Sequence, residues 1–408
     1  MVKKTPFHER TEELNQTMLW EHWAGYAVSS QYQYSTVFEY FATRNSAGLF
    51  DTSPLFKYRF KGPDATKFLA GVLTRDVRSC ATGQAQYTIW CDDRGFVIED
   101  GVVLHVSEDE YWLTSAEPNL RYFSQLVGRM QVEVSDISDE YGLLALQGPH
   151  SLNILQQLSD APAKLNYFEV AKTKMAQKSV VISRTGYTGD LGYEIWVKSE
   201  DALVLWDALM EAGRGYNLTP MGMTALSMAR IDAGLLMIEV DFSSSRYSWV
   251  DAQRETPLEL GLGWMVRGLK KDDRAFIGRR AIEKEKSNRT SRWKTVGLEL
   301  DPQTYEDIYN NKGLIAPKAD VLIQETLYLY NDDFNANPNS EYVGYVTSFM
   351  FSPILKKHIA IAKVAPHLAK RGAKVYLELE VLHRSQYFPA RVVRMPFYNP
   401  TRKSAQAN

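Results

Sequence analysis

Three stretches of the chain bring together residue types that can move charge or hold a polar heterocycle. The first is Arg94-Gly95-Phe96-Val97-Ile98-Glu99-Asp100-Gly101-Val102-Val103, where two adjacent carboxylates open an apolar strand. Strand neighbours point to opposite faces, so one carboxylate is expected toward solvent and the other toward a cavity. A carboxylate in a cavity can hold a proton or stabilise a developing iminium cation; the competing reading is a solvated turn. The second stretch is Ser183-Arg184-Thr185-Gly186-Tyr187-Thr188-Gly189-Asp190-Leu191-Gly192-Tyr193-Glu194-Ile195. Its glycines permit a tight, backbone-exposing turn. Beyond the turn Glu194 shares a face with Trp196, and an acceptor carboxylate beside aromatic rings suits the donor edge of an amino-pyrimidinone such as a pterin. A plain hairpin with an exposed Glu is the alternative. The third is Met228-Ala229-Arg230-Ile231-Asp232-Ala233-Gly234, an apolar helical pattern interrupted by Arg230 and Asp232. A buried arginine there pairs with a carboxylate of the protein or of a ligand.

These groups need elements to hold them. Alternation predicts strands at 57–61, 102–106, 111–114, 179–183 and 193–197. Helical spacing predicts helices at 65–72, 202–212 and 223–238. The first two thirds read as α+β. The tail reads as strand at 322–330, 342–347, 374–381 and 390–394, which predicts a small β-barrel or jelly-roll-like C-terminal domain. Polar clusters at 284–294 and 331–341 are predicted loops. Domain limits are expected at 1–285, as two interleaved α+β domains with an inner segment near 52–140, and at 286–408. Thr347-Ser348 and Phe351-Ser352-Pro353 are expected in a loop.

Composition narrows the chemistry. A chain of 408 residues with 45% hydrophobic and 24% charged residues is long enough for more than one core. The net charge of −2 gives no general pull toward nucleic acid or anionic lipid. No apolar run is long enough for a membrane span, and the first residues lack a signal-peptide apolar core. Cys80 and Cys91 match no metal spacing and make no disulfide framework, so a reducing, cytoplasmic setting is expected. The histidines form no metal pair, and dinucleotide, P-loop and nucleophile-elbow motifs do not occur.

Taken in order, these stretches resemble the glycine cleavage T-protein family. The resemblance continues through Gly48-Leu49-Phe50-Asp51-Thr52-Ser53, Lys61-Gly62-Pro63-Asp64-Ala65, Leu144-Ala145-Leu146-Gln147-Gly148-Pro149, Pro257-Leu258-Glu259-Leu260-Gly261-Leu262 and Pro396-Phe397-Tyr398. It implies a three-domain cloverleaf with tetrahydrofolate in a central channel. It implies Asp100 as the catalytic carboxylate and Tyr87, Tyr187, Glu194, Arg230 and Arg402 as folate-binding residues. No metal is implied. The implied activity is one-carbon transfer to tetrahydrofolate of the aminomethyltransferase kind, with a small methyl or aminomethyl donor or a lipoyl carrier protein as partner.

The sequence departs from that family where a second substrate would lie. Ser53-Pro54-Leu55 replaces Ser-His-Met, Arg94-Gly95-Phe96 stands where Gly-Gly is usual, and Ile238 replaces a tyrosine. Glu239-Val240-Asp241 replaces Gly-Gln-Asp and is followed by a polar insertion, 242–249, while Thr347-Ser348-Phe349 replaces Thr-Ser-Gly. Arg246, Tyr247 and Trp249 are candidates to meet a donor, or form a surface loop. Two other readings follow: a tetrahydrofolate-dependent demethylase of a sulfonium, methylamine or aryl methyl ether, and a non-catalytic folate-binding regulator.

Overall fold

The computed structural model describes residues 2–269, 273–318 and 321–405. The first large sheet has six strands in the order Val170–Met175, Lys178–Ser183, Gly192–Lys198, Tyr141–Gln147, Gly48–Asp51 and Thr219–Pro220. Only the last pairing is parallel. Residues 56–136 supply a second sheet in the order Ala85–Cys91, Val97–Ser107, Glu110–Ser115, Phe56–Lys61 and Glu133–Asp136. The third sheet closes on itself. Its ring runs Tyr342–Ser352, Leu327–Tyr330, Lys374–Val381, Arg384–Val393, Lys294–Leu300 and Lys357–Val364, and the last strand pairs back with the first. Closure removes the unpaired edges that alternating apolar strands would otherwise present. The α+β expectation and the barrel both hold.

The three sheets share one apolar cluster. Ile89 and Val97 enter it from the second sheet, Phe50 and Ala145 from the first, and Met350, Ile359 and Ile361 from the barrel. Met228, Ala229 and Ile231 of the helix Met223–Asp232 fill its middle, and Tyr87 and Tyr187 pack against it. This is the three-lobed arrangement that the resemblance implies.

Some elements differ from expectation. The helix expected over 223–238 stops at Asp232. Gly234 takes a left-handed φ of 62°, and the Asp232 carbonyl accepts the amides of Phe397 (3.0 Å) and Tyr398 (2.9 Å) from the tail. The polar cluster at 284–294 is half helical, because the helix Arg279–Asn288 runs into it before the chain turns. Thr347, Ser348, Phe351 and Ser352 are not in a loop but in the strand Tyr342–Ser352. The segment 322–330 is two short strands, Leu322–Ile323 and Leu327–Tyr330. Among the described residues no helix is long and apolar enough to cross a membrane, and no group of three or more His, Cys, Asp or Glu is placed to hold a metal ion.

Candidate active site

The acidic pair lies on the strand Val97–Ser107, where Glu99 pairs with Trp90 and Asp100 with Ile89. Both carboxylates lie within the strand and not in a solvated turn: Glu99 is fully buried and Asp100 is half-buried. Glu99 has no exposed surface; its oxygens accept the amides of Asp100 (3.3 Å) and Glu117 (3.1 Å). Asp100 accepts the Tyr87 hydroxyl at 2.8 Å. Burial pushes the Asp100 carboxyl up to about 6, while the Tyr87 hydroxyl pulls it down. Glu99 is driven well above the ordinary range, by burial first and then by the Asp100 charge. Both carboxyls are thus raised, and of the two it is Asp100 that accepts a hydroxyl donor, which favours its ionised form. The Tyr87 phenol is itself raised by burial and by Asp100, so it stays protonated and keeps donating.

The glycine-rich turn brings the next residue in. It wraps around Gln147, whose side chain donates to Thr185 O (3.3 Å) and Tyr193 O (3.4 Å) and accepts the Thr188 hydroxyl (3.0 Å). A Cβ on Gly186 or Gly192 would fall 1.9 or 2.3 Å from that side chain, which is why glycine stands there. So shaped, the turn sets Tyr187 against the shared core, with its hydroxyl donating to Leu236 O. Burial raises the Tyr187 phenol; the Arg230 charge opposes this, and Asp100 adds to it. Tyr187 thus stands between the acidic pair and the arginine helix.

Arg230 is fully buried. One of its terminal nitrogens donates to Asp241 and to Leu235 O (3.2 Å), the other to the Ser348 hydroxyl (2.8 Å). Asp241 also accepts Met237 N (2.9 Å), the Thr347 hydroxyl (2.5 Å) and the Ser348 hydroxyl (2.8 Å). The intramolecular ion pair, one of the two readings of Arg230, is thus present. The Nε of Arg230 is buried with no hydrogen-bond partner among the described residues. Asp241, Thr347 and Ser348 were noted in the sequence as departures from the family, but not as partners of Arg230; their separations from it follow no local period.

Glu194 lies on the strand Gly192–Lys198 and accepts the Thr185 hydroxyl, which in turn is 2.6 Å from the Ser183 hydroxyl. Burial raises its carboxyl and the Thr185 contact lowers it. Its second oxygen has no hydrogen bond among the described residues. An acceptor oxygen on Glu194 is therefore left for a group with a donor edge. Arg402 stands elsewhere in the network: its guanidinium binds Asp190 at 2.7 and 2.8 Å, Arg44 O at 3.0 Å and the Tyr398 hydroxyl at 2.8 Å. In the insertion, Arg246 donates to Asn119 Oδ1 (3.1 Å) and lies against the rings of Tyr122 and Tyr247. Trp249 is 91% exposed and lines nothing, so the surface-loop reading holds for it. Glu239 takes a left-handed φ of 63° and is an electrostatic neighbour of Glu117.

Residues 7–270 match the model of the GCVT N-terminal domain, and residues 294–399 that of the glycine cleavage T-protein C-terminal barrel domain. The aminomethyltransferase of Caldanaerobacter subterraneus subsp. tengcongensis is 33% identical, over 98% of this chain and 97% of that protein. That of Symbiobacterium thermophilum is 34% identical over 97% of each. Among solved structures, the glycine cleavage system aminomethyltransferase T from Bartonella henselae superposes with a TM-score of 0.79 at 23% identity, covering 98% of this chain and 99% of the other.

Proposed function

The chain belongs to the glycine cleavage T-protein family, and we propose that it moves a one-carbon unit from a donor onto tetrahydrofolate. Tetrahydrofolate supplies the nucleophilic nitrogen that accepts the unit. The observation that carries the reading is the half-buried Asp100 carboxylate that accepts the Tyr87 hydroxyl at 2.8 Å, next to Glu99, whose fully buried carboxyl is raised by burial and by the Asp100 charge. Such a charge stabilises the positive charge that grows on a one-carbon unit as its amine departs. Its field acts without the reorganisation that water would need. Glu194 accepts from the donor edge of the pterin, Tyr87 and Tyr187 flank the ring, and the Arg230–Asp241 pair stands behind Tyr187 as part of the wall. Arg402 enters this site through its neighbours.

On the first reading, which the aminomethyltransferase names of its relatives support, the donor is an aminomethyl group, carried on a lipoyl protein. A second reading is favoured by Glu239, which stands where the family has glycine and adds charge beside Glu117 and the acidic pair. On that reading the donor is a small cationic methylated compound, a sulfonium or a methylated amine. Turnover with aminomethyl-loaded carrier and with such compounds, read by mass spectrometry of the folate product, separates them. A methylene product formed only with the carrier supports the first, and a methyl product from a small donor supports the second. Folate binding without any product supports a regulator.

A further inference from the structure

After the strand Arg384–Val393 the chain leaves the barrel and returns to the other two lobes. Phe397 N and Tyr398 N donate to Asp232 O at the end of the arginine helix. Four residues on, Arg402 grips Asp190 of the glycine-rich turn with two parallel hydrogen bonds, 2.7 and 2.8 Å. Arg184, 2% exposed, holds the same segment from beneath through Ala405 O (2.5 Å) and Arg402 O (3.4 Å). Arg44 joins the turn to the helix: it donates to Thr188 O (2.8 Å) and Ala229 O (3.1 Å), lies 3.2 Å from Asp232 and faces the Tyr398 ring at 4.6 Å.

We propose that Met395–Ala405 is a strap over the glycine-rich turn, that the Arg402–Asp190 pair is its latch, and that Arg402 is a positioning residue for Tyr187. The turn needs one. Its glycines give it little stiffness of its own; Gln147 pins it at Thr185, Thr188 and Tyr193 and the Gly148 amide at Leu191, but none of these holds Tyr187 or Asp190. Tyr187 lies three residues before Asp190, and its hydroxyl reaches Leu236 O just past the helix end that the strap also holds. The Asp190 carboxylate is fully buried, and a second cation, Arg44, lies 3.7 Å away. Opening the latch therefore loosens the turn without leaving a bare buried charge. The Arg402 side chain is 38% exposed, so trimming it opens no cavity in the core.

The kinetic part of the test rests on the one-carbon-transfer reading; the exchange part does not. Arg402→Gln and Arg402→Lys are compared with the unaltered chain by amide hydrogen exchange and by steady-state kinetics. In Arg402→Gln, exchange over 186–192 is expected to quicken about tenfold, with exchange in the barrel and the thermal midpoint unchanged. kcat is expected to fall about ten- to a hundredfold, with KM for tetrahydrofolate changed less than about threefold. Arg402→Lys keeps the charge but not the fork and falls between the two, and added guanidinium restores part of kcat in Arg402→Gln. Unchanged exchange over 186–192 overturns the latch, all the more if KM rises alone, since Arg402 then touches folate directly. Quickened exchange with kcat unchanged overturns the positioning role. A wild-type chain that transfers nothing defeats the functional reading, while the exchange data still judge the latch.

Discussion

Asp100→Asn is the substitution that isolates the charge from the shape. The amide is nearly isosteric, and its carbonyl still accepts the Tyr87 hydroxyl that lies 2.8 Å from Asp100. What disappears is one unit of negative charge. At about 4 Å from a developing cation, in a medium of effective dielectric about 20, that charge contributes about 4 kcal/mol. This corresponds to about a thousandfold in rate. Stability moves the other way. The folded-state carboxyl is raised from 3.8 to about 6, so the folded chain binds more protons than the unfolded chain over that range. The ionised group therefore lowers stability increasingly as pH rises through 6, and the asparagine variant melts at or above the wild-type midpoint at pH 7.5. The assay pairs single-turnover transfer with thermal melting and with a folate titration. Loss of about three orders in rate, with folding and folate binding kept, is the expected outcome. An Asp100→Asn chain within tenfold of wild type would refute the electrostatic role.

Three further substitutions probe the supports. Tyr87→Phe removes the donor that lowers the Asp100 carboxyl, so the acid limb of the rate profile, expected near pH 6, shifts upward; a pH–rate profile that stays in place contradicts the pairing. Asp241→Asn leaves Arg230 buried without its counter-charge and should destabilise the chain by about 3–5 kcal/mol, measured by urea unfolding. Gly189→Ala forces a side chain into a φ of 73° with its Cβ 2.4 Å from that of Ala233, and should lower stability by about 2–4 kcal/mol in the same assay.

Local patterns disclosed the parts but not their assembly. Alternation revealed the barrel strands because each has one face in a core, as at Val375, Leu377, Leu379 and Val381. The acidic pair was legible as chemistry, yet the burial of Glu99 was not. Strand alternation alone sends Glu99 outward, whereas the amides of Asp100 and Glu117 hold it inside. The arginine helix was read too long because its apolar pattern continues past Asp232, where tail amides more than 160 residues away in sequence cap it. The pairing of Arg230 with Asp241 and Ser348 was illegible for the same reason: they meet it across 11 and 118 residues, through tertiary contact only. Gln147 lay within a recognised stretch, but nothing local says that a glycine-rich turn folds around it.

The central claim is that this chain holds tetrahydrofolate with Glu194 and acts on it with Asp100. Calorimetric titration of tetrahydrofolate into the wild-type chain and into Glu194→Gln tests it most directly. Saturable binding to one site in the wild type, weakened about ten- to a hundredfold by the loss of a charged acceptor, is the predicted result. No binding to the wild-type chain, or equal binding to both, would contradict it.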